Sequence, residues 1–245
     1  MRLLFLLTLS FTVSCVMGQD TLQKLTITHL TKDYYIFTTY GNAGNGKMLP
    51  ANGMYLVTDK GVILFDTPWD STQFQPLLDS IYARHHQKVL MCIVTHFHDD
   101  RTAGLNYYNN LGIKTYSTKL TDKLAKLHHE PRATNLLNDV EVYQAGQYTF
   151  EVFYPGKGHS PDNIVIWFHN EGILYGGCFV KSGEATDLGN LTDADPHQWI
   201  RSIKKVQSAY KKPHFIIPGH RSWLDTNSLN HTLYLLTQYE LSTKK

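Results

Sequence analysis

The most informative stretch of the chain, Thr95-His96-Phe97-His98-Asp99-Asp100-Arg101, directly follows the apolar run of residues 89–94. An apolar run of this length is typical of a buried strand. Because residues two apart in an extended segment point the same way, His96, His98 and Asp100 can share one face at the end of that strand. Two imidazoles and a carboxylate held so closely suit a zinc ion. The sequence therefore predicts a metal site at a strand end.

Three further segments offer potential ligands, and each comes at or near the end of an apolar stretch: Gly156-Lys157-Gly158-His159, Gly176-Gly177-Cys178 and Pro218-Gly219-His220. Together with the first stretch they supply six potential ligands, enough for two metal ions. Isolated histidines mean little in a chain that has 13 of them. The probability that one H-x-H-x-D pattern occurs by chance is on the order of a few per cent. A chance explanation would also have to place three more potential ligands beside glycines.

The chain has 245 residues, of which 42% are apolar and 18% charged, an ordinary globular composition. The net charge of +2 and the lack of any long run of Lys and Arg argue against nucleic acid as a partner. Small-molecule substrates are the expected partners, and a monomer is the expected state.

The N-terminus predicts a signal peptide over residues 1–18, followed by a single domain of two αβ halves over residues 19–245. Arg2 supplies the positive charge that signal peptides carry at their start, and residues 3–13 are mostly apolar. Gly18 precedes the expected cleavage site. The apolar run is shorter than the roughly 20 residues that span a bilayer. Cys15 leaves a lipid anchor open as an alternative, although the residues before it are a poor lipid-attachment signal. We expect a periplasmic protein with no stable membrane partner unless Cys15 is lipidated.

Two cysteines remain after removal of the signal peptide, and we expect no disulfide between them. Cys92 lies in the apolar run before the histidines and is typical of a small core residue. Cys178 lies beside the other potential ligands, where metal binding would protect a free thiol from oxidation.

Helices and strands occur in both halves of the chain, which predicts helices outside a two-sheet core. Strands are expected near residues 24–28, 34–40, 53–59, 61–66, 88–95, 141–143, 148–154, 164–168, 173–180 and 215–217. Helices are expected over residues 71–85, 102–111, 121–129 and 228–241. Asp195-Pro196 predicts one more helix, with the aspartate as N-cap and the proline at its first position. The glycine-rich stretch 41–47 predicts a mobile hairpin.

Six landmarks spread over the mature chain resemble those of the metallo-β-lactamase superfamily: Asp66-Thr67-Pro68-Trp69, the stretch 96–101, Gly156-Lys157-Gly158-His159, Gly177-Cys178 with Lys181, Leu188-Gly189-Asn190-Leu191 and Gly219-His220. The resemblance is to the true β-lactamases with a cysteine at the second metal site, and especially to their flavobacterial members. It implies an α+β fold, the αβ/βα four-layer sandwich, in which two mixed sheets lie face to face with helices on both outer sides.

The resemblance also implies a ligand set for two zinc ions. The first ion would be held by three histidines, His96, His98 and His159. The second would be held by a mixed set, Asp100, Cys178 and His220. Three neutral imidazoles leave one open position, as in catalytic rather than structural zinc sites. Asp100 would thus contribute to catalysis as a ligand and not as a free general base.

The activity implied by the resemblance is zinc-dependent opening of the β-lactam ring of penicillins, cephalosporins and carbapenems, which gives antibiotic resistance. A metal-bound hydroxide, its pKa lowered to about 7, would attack the lactam carbonyl. The amide of Asn190 would stabilise the oxyanion, and Lys181 would pair with the substrate carboxylate. From the residues alone, Asn190 is also typical of a turn, and Lys181 of a solvated strand end.

Two residues near the predicted ligands, Asp66 and Trp69, have two interpretations each. Asp66 follows an apolar run, so it is either a buried carboxylate that supports the metal-binding loop or a cap of the turn at Pro68. Trp69 either lines the substrate groove, together with a flap at residues 44–50, or belongs to the core. Asp99 and Arg101 are expected to fix the metal-binding loop.

Two other functions compete with this interpretation. Thioesterases of the glyoxalase type and lactonases of the same superfamily generally have H-x-H-x-D-H and an aspartate that bridges the metal ions. Here Arg101 stands at the place of the last histidine and Cys178 at that of the aspartate, which argues against these enzymes. An exported zinc-storage protein would need neither Asn190 nor Lys181.

Overall fold

The first of two sheets contains seven strands that lie in chain order. A computed structural model describes residues 25–44, 46–138 and 140–243, so the expected signal peptide and Cys15 lie outside the described residues. The strands are β1 (Thr26–Thr31), β2 (Tyr34–Asn42), β3 (Met48–Val57), β4 (Val62–Phe65), β5 (Val89–Ile93), β6 (Lys114–Thr118) and β7 (Asn135–Leu137). Strands β1 to β4 pair antiparallel, and β4 to β7 pair parallel.

The second sheet contains five strands in the spatial order β12-β11-β10-β9-β8. Their bounds are β8 (Val140–Ala145), β9 (Tyr148–Phe153), β10 (Val165–Phe168), β11 (Ile173–Gly177) and β12 (Phe215–Pro218). Only the pair β11–β12 is parallel among these described strands, and Gly177 lies opposite Pro218 at its end. The residues that follow these two strands therefore leave the sheet side by side.

Helices cover the outer face of each sheet, and the inner faces form a common core. The helices are α1 (Phe74–His85), α2 (Asp99–Thr102), α3 (Leu105–Asn110), α4 (Lys119–Leu127), α5 (Pro196–Ala209) and α6 (Ser228–Thr243). Side chains of both sheets share one buried cluster, which includes Phe65 and Phe168. A second cluster joins the other face of the first sheet to α1 and α3, and a third joins the second sheet to α5 and α6. The predicted four-layer sandwich is confirmed.

Two local predictions were wrong, and two strands were missed. The helix expected over residues 102–111 is interrupted at Gly104, where a Cβ would lie 2.9 Å from the Cβ of Thr67. Strands β6 and β7 were not predicted. The strand expected to reach residue 180 ends at Gly177, whose φ of +52° turns the chain in a conformation that glycine adopts readily.

The two cysteines within the described residues, Cys92 and Cys178, are buried and free, as predicted. Asp195 accepts a hydrogen bond from the backbone N–H of Gln198, and Pro196 opens α5, so the predicted helix start is confirmed. None of the helices in the described part of the chain is both long and apolar enough to cross a membrane.

Candidate active site

The six predicted ligands meet at one edge of the sandwich because they follow the ends of neighbouring elements. The first two histidines follow β5, and His159 lies between β9 and β10. Cys178 follows β11, and His220 follows β12 by two residues. The parallel pairing of β11 and β12 therefore places a thiol and an imidazole side by side, as the strand-end pattern implies.

The three histidines of the first group turn ring nitrogens toward one point. Nδ1 of His98 lies 3.1 Å from Nε2 of His96 and 3.2 Å from Nε2 of His159. Two nitrogens bound to one tetrahedral zinc ion would lie about 3.3 Å apart, given Zn–N bonds of about 2.0 Å. The distances between the ring nitrogens of His96, His98 and His159 therefore fit a single tetrahedral zinc ion.

The second group combines a carboxylate, a thiol and an imidazole. Sγ of Cys178 lies 3.3 Å from Oδ2 of Asp100 and 3.3 Å from Nε2 of His220. The same Nε2 lies 3.0 Å from Oδ2 of Asp100. These separations also fit a tetrahedral zinc ion, for which sulfur and nitrogen would lie about 3.5 Å apart. The two groups adjoin, since ligand atoms of His96, Asp100 and Cys178 lie within 4.8 Å of one another.

Hydrogen bonds on the far side of two rings orient them toward the centre. Nδ1 of His220 lies 2.7 Å from the carbonyl of Pro50, which can only accept, so the proton is on Nδ1 and Nε2 is left for a ligand bond. Nε2 of His98 lies 3.0 Å from a carboxylate oxygen of Asp193, which holds the proton on Nε2 and leaves Nδ1 free to bind.

Burial sets the protonation states that metal binding needs. It lowers the pKa of His96 and of His159 well below the ordinary value, and electrostatic interaction with His98 for the first and with Lys181 for the second lowers it further. Both imidazoles are thus neutral. Burial raises the pKa of the Asp100 carboxyl, but Arg101 and His220 outweigh it, so the net shift is downward. Burial raises the pKa of the Cys178 thiol, with Arg101 opposing the shift, so the bare thiol is protonated and a bound cation would favour the thiolate.

Asp66 lies beneath the metal-binding loop and is fully buried. Its carboxylate accepts hydrogen bonds from the N–H of Thr95 (2.7 Å), the hydroxyl of Thr95 (2.9 Å) and the hydroxyl of Tyr175 (2.7 Å). Burial raises the pKa of this carboxyl, while Arg101 and these donors oppose the rise. None of these partners belongs to the turn at Pro68, so the contacts favour the first of the two interpretations of Asp66.

Arg101 links this carboxylate to the candidate ligands and is itself fully buried. Its guanidinium lies 3.5 Å from Asp66 and 3.0 Å from Asp100, and it donates to the carbonyls of Asn52 (2.7 Å) and Gly219 (2.8 Å). Neighbouring anions raise the pKa of Arg101 despite burial, which alone lowers it. The guanidinium of Arg101 thus lies, held by hydrogen bonds, behind the acidic candidate ligands. This position is consistent with the expectation that Arg101 fixes the metal-binding loop.

Asp193 is the residue of this centre that sequence analysis missed. It pairs with His98 from a loop 95 residues further along the chain. The sequence feature that could have indicated Asp193 is its position three residues after Asn190, within a segment already expected at the site.

A cavity of about 670 Å³ opens above the candidate ligands. Its wall includes Trp69, which is only partly buried and donates its indole N–H to Asp99 at 3.1 Å. It also includes Lys181, whose ammonium lies 5.3 Å from the ring centre of Trp199. Asn190 lines the cavity as well, and its side-chain oxygen accepts from the N–H of Thr192, which leaves the amide NH₂ for a bound molecule.

The hairpin of β2 and β3 forms one side of this cavity, where the flap was expected. Asn42, Lys47 and Leu49 from this hairpin line it. Gly41 packs so closely on Trp69 that an added Cβ would lie 2.1 Å from the indole ring. The hairpin therefore rests directly on the tryptophan at its base.

A two-sheet sandwich between helices, with converging His, Asp and Cys side chains beneath an open cavity, defines a class of metal-dependent hydrolases. Residues 47–220 match the family described as the metallo-beta-lactamase superfamily. The chain belongs to this superfamily, and the resemblance stated from its sequence is confirmed.

Among curated proteins, the chain is 40% identical over 244 residues to a metallo-beta-lactamase type 2 of Elizabethkingia meningoseptica, covering 100% of this chain and 97% of the relative. It is 43% identical over 209 residues to metallo-beta-lactamase IND-1 of Chryseobacterium indologenes, covering 85% and 87%. Among solved structures, metallo-beta-lactamase IND-7 superposes with a TM-score of 0.84 at 42% identity, covering 88% of this chain and 99% of that one.

Proposed function

We propose that this protein is a zinc-dependent hydrolase that opens the β-lactam ring of penicillins, cephalosporins and carbapenems and so gives antibiotic resistance. The observation that carries the proposal is the convergence of six ligand-type side chains into two adjoining groups beneath a cavity lined by Lys181 and Asn190. Curated metallo-beta-lactamases at 40% and 43% identity support the same reaction.

We assign one zinc ion to each group, as the resemblance implies. His96, His98 and His159 would hold the first, and Asp100, Cys178 and His220 the second. Zinc supplies Lewis acidity and, when bound, lowers the pKa of water to about 7. The neutral imidazoles of the first group add no charge, whereas the thiolate and carboxylate of the second add two negative charges, so the two positions differ in acidity.

The cavity side chains bind and orient the substrate. Lys181 pairs with the carboxylate that β-lactam drugs carry beside the ring nitrogen, and its ammonium is steadied by the Trp199 ring. The free NH₂ of Asn190 donates a hydrogen bond to the carbonyl oxygen as negative charge develops on it. Trp69 and the hairpin above it form one wall of the cavity in which the substrate would bind.

Arg101 argues against the thioesterase and lactonase alternative. Those relatives place a metal-binding histidine at its position, but here the guanidinium is buried and bonded to Asp100 and to two backbone carbonyls. A storage protein would have no use for the cavity residues Lys181 and Asn190.

The mature chain, expected to be a single periplasmic domain over residues 19–245, is the material for the test. Zinc-loaded protein should hydrolyse a chromogenic cephalosporin and a carbapenem, lose this activity on complete metal removal, and regain it with zinc. A glutathione thioester should be turned over far more slowly. No hydrolysis of any β-lactam by protein with two zinc ions, or activity that survives metal removal, would contradict the proposal.

A further inference from the structure

A partly buried carboxylate, that of Glu130, lines the substrate cavity just after the end of α4. The backbone is held at this point, because the N–H of Glu130 donates to the carbonyl of Ala125 at 2.8 Å. Close to it in the chain lies His128, whose ring packs at a tilt against Phe97 with ring centres 4.6 Å apart. Phe97 in turn contacts His98, with ring centres 4.5 Å apart, so this wall of the cavity adjoins the first ligand group.

The charge of Glu130 is not balanced in the free protein. Across the described ranges, its carboxylate has no hydrogen-bond or ion-pair partner, unlike Asp193 and Asp100 in the same cavity. Burial raises the pKa of Glu130, and the nearby Asp99 carboxylate raises it further against the opposing effect of His98 and His128. Asp99 is itself held by the indole of Trp69. This wall therefore carries negative charge that a cation would stabilise.

Lys181, the basic group assigned to the substrate carboxylate, lies elsewhere in the cavity. Lys181 lies against Trp199, and the groups that raise its pKa against the effect of burial are Cys178, Asp100 and Asp187. Glu130 is not among them. The cavity therefore carries a lysine after β11 and, apart from it, a glutamate without a partner after α4. In a penicillin or cephalosporin, the ring carboxylate and the acylamino side chain project from opposite ends of the fused rings. Anchoring the carboxylate at Lys181 directs the side chain away from that residue.

We propose that Glu130 is a specificity-determining residue that favours β-lactams with an ammonium group on the acylamino side chain. The inference rests on the proposed function and names a substrate preference of the same site. The ammonium would pair with a carboxylate that is already partly desolvated and lacks a partner, so ion-pair formation requires little further desolvation of the protein.

Two penicillins that differ by one ammonium group, ampicillin and benzylpenicillin, provide the test. The measured quantity is the ratio of their kcat/KM values, taken at about pH 6.5 so that the α-amino group is charged. Glu130→Gln should lower the ampicillin to benzylpenicillin ratio by roughly two- to fivefold, as expected for a partly exposed ion pair. Added salt should move the wild-type ratio toward that of the variant. Glu141→Gln, at an exposed glutamate on β8 outside the cavity, is the matched control and should leave the ratio unchanged.

Because the ratio compares two substrates on one protein, a loss of folded enzyme cancels from it. Hydrolysis of both penicillins with the same ratio in wild type and Glu130→Gln would overturn this inference alone. An equal change in the Glu141→Gln control would also overturn it. If the zinc-loaded wild type hydrolysed a carbapenem but neither penicillin, the inference alone would fail. Hydrolysis of no β-lactam at all would overturn the proposed function, and the inference with it.

Discussion

Replacing Asp66 by asparagine should destabilise the fold far more than the loss of an exposed ion pair. The carboxylate is fully buried, accepts three hydrogen bonds and lies 3.5 Å from the Arg101 guanidinium. Asparagine keeps the shape but removes the charge and points NH₂ donors at groups that also donate. Removing one partner of a buried ion pair costs about 3–5 kcal/mol. We expect a value near the lower limit, because Arg101 keeps Asp100 at 3.0 Å.

The assay is urea unfolding followed by circular dichroism, with chelator present so that metal binding does not contribute. With a slope of about 3 kcal/mol per molar urea, a loss of 3 kcal/mol lowers the midpoint by about 1 M. Asp122→Asn is the matched control, since Asp122 binds Arg132 through two bonds of 2.8 Å at the surface. An exposed pair contributes at most about 1 kcal/mol, so its midpoint should fall by no more than about 0.3 M. Equal shifts for the two variants would refute the argument that Asp66 supports the site from within.

Three further predictions concern the candidate site. Asp193→Asn should weaken zinc binding by about 10- to 100-fold in a competition titration with a chromophoric chelator, because His98 loses its carboxylate partner; an unchanged affinity would mean that the contact does not orient the ring. Lys181→Gln should raise KM for a penicillin about tenfold with a smaller effect on kcat, as measured by steady-state kinetics, and an unchanged KM would place the substrate carboxylate elsewhere. Gly219→Ala should reduce bound zinc to about one ion per chain in metal analysis, because the new Cβ would lie 2.7 Å from Sγ of Cys178, and a full complement of zinc would show that the loop adapts.

The sequence was most informative where chemistry depends on neighbours along the chain. His96 and His98 could be placed on one face because they are two residues apart after a strand. Cys178 and His220 also ended strands, but their meeting depends on the parallel pairing of β11 with β12, which the local sequence does not encode. The family resemblance supplied that link.

Contacts between distant segments account for what the sequence left open. Asp66 had two interpretations because its hydroxyl partner, Tyr175, lies 109 residues away. Asp193 was missed since its role depends on how a loop returns to His98. Strand β6 (Lys114–Thr118) has a largely polar sequence and lacks the apolar run of its neighbour β5. It is buried in part because it pairs with parallel strands on both sides.

The number of zinc ions bound to the folded chain shows whether the six side chains form two metal sites. Native mass spectrometry, checked by elemental analysis, should find two zinc ions per chain in the wild type and one in Cys178→Ser, which keeps the three histidines of the first group. A wild-type chain that never takes up a second ion would contradict the account, and so would a serine variant that holds both ions as tightly as the wild type.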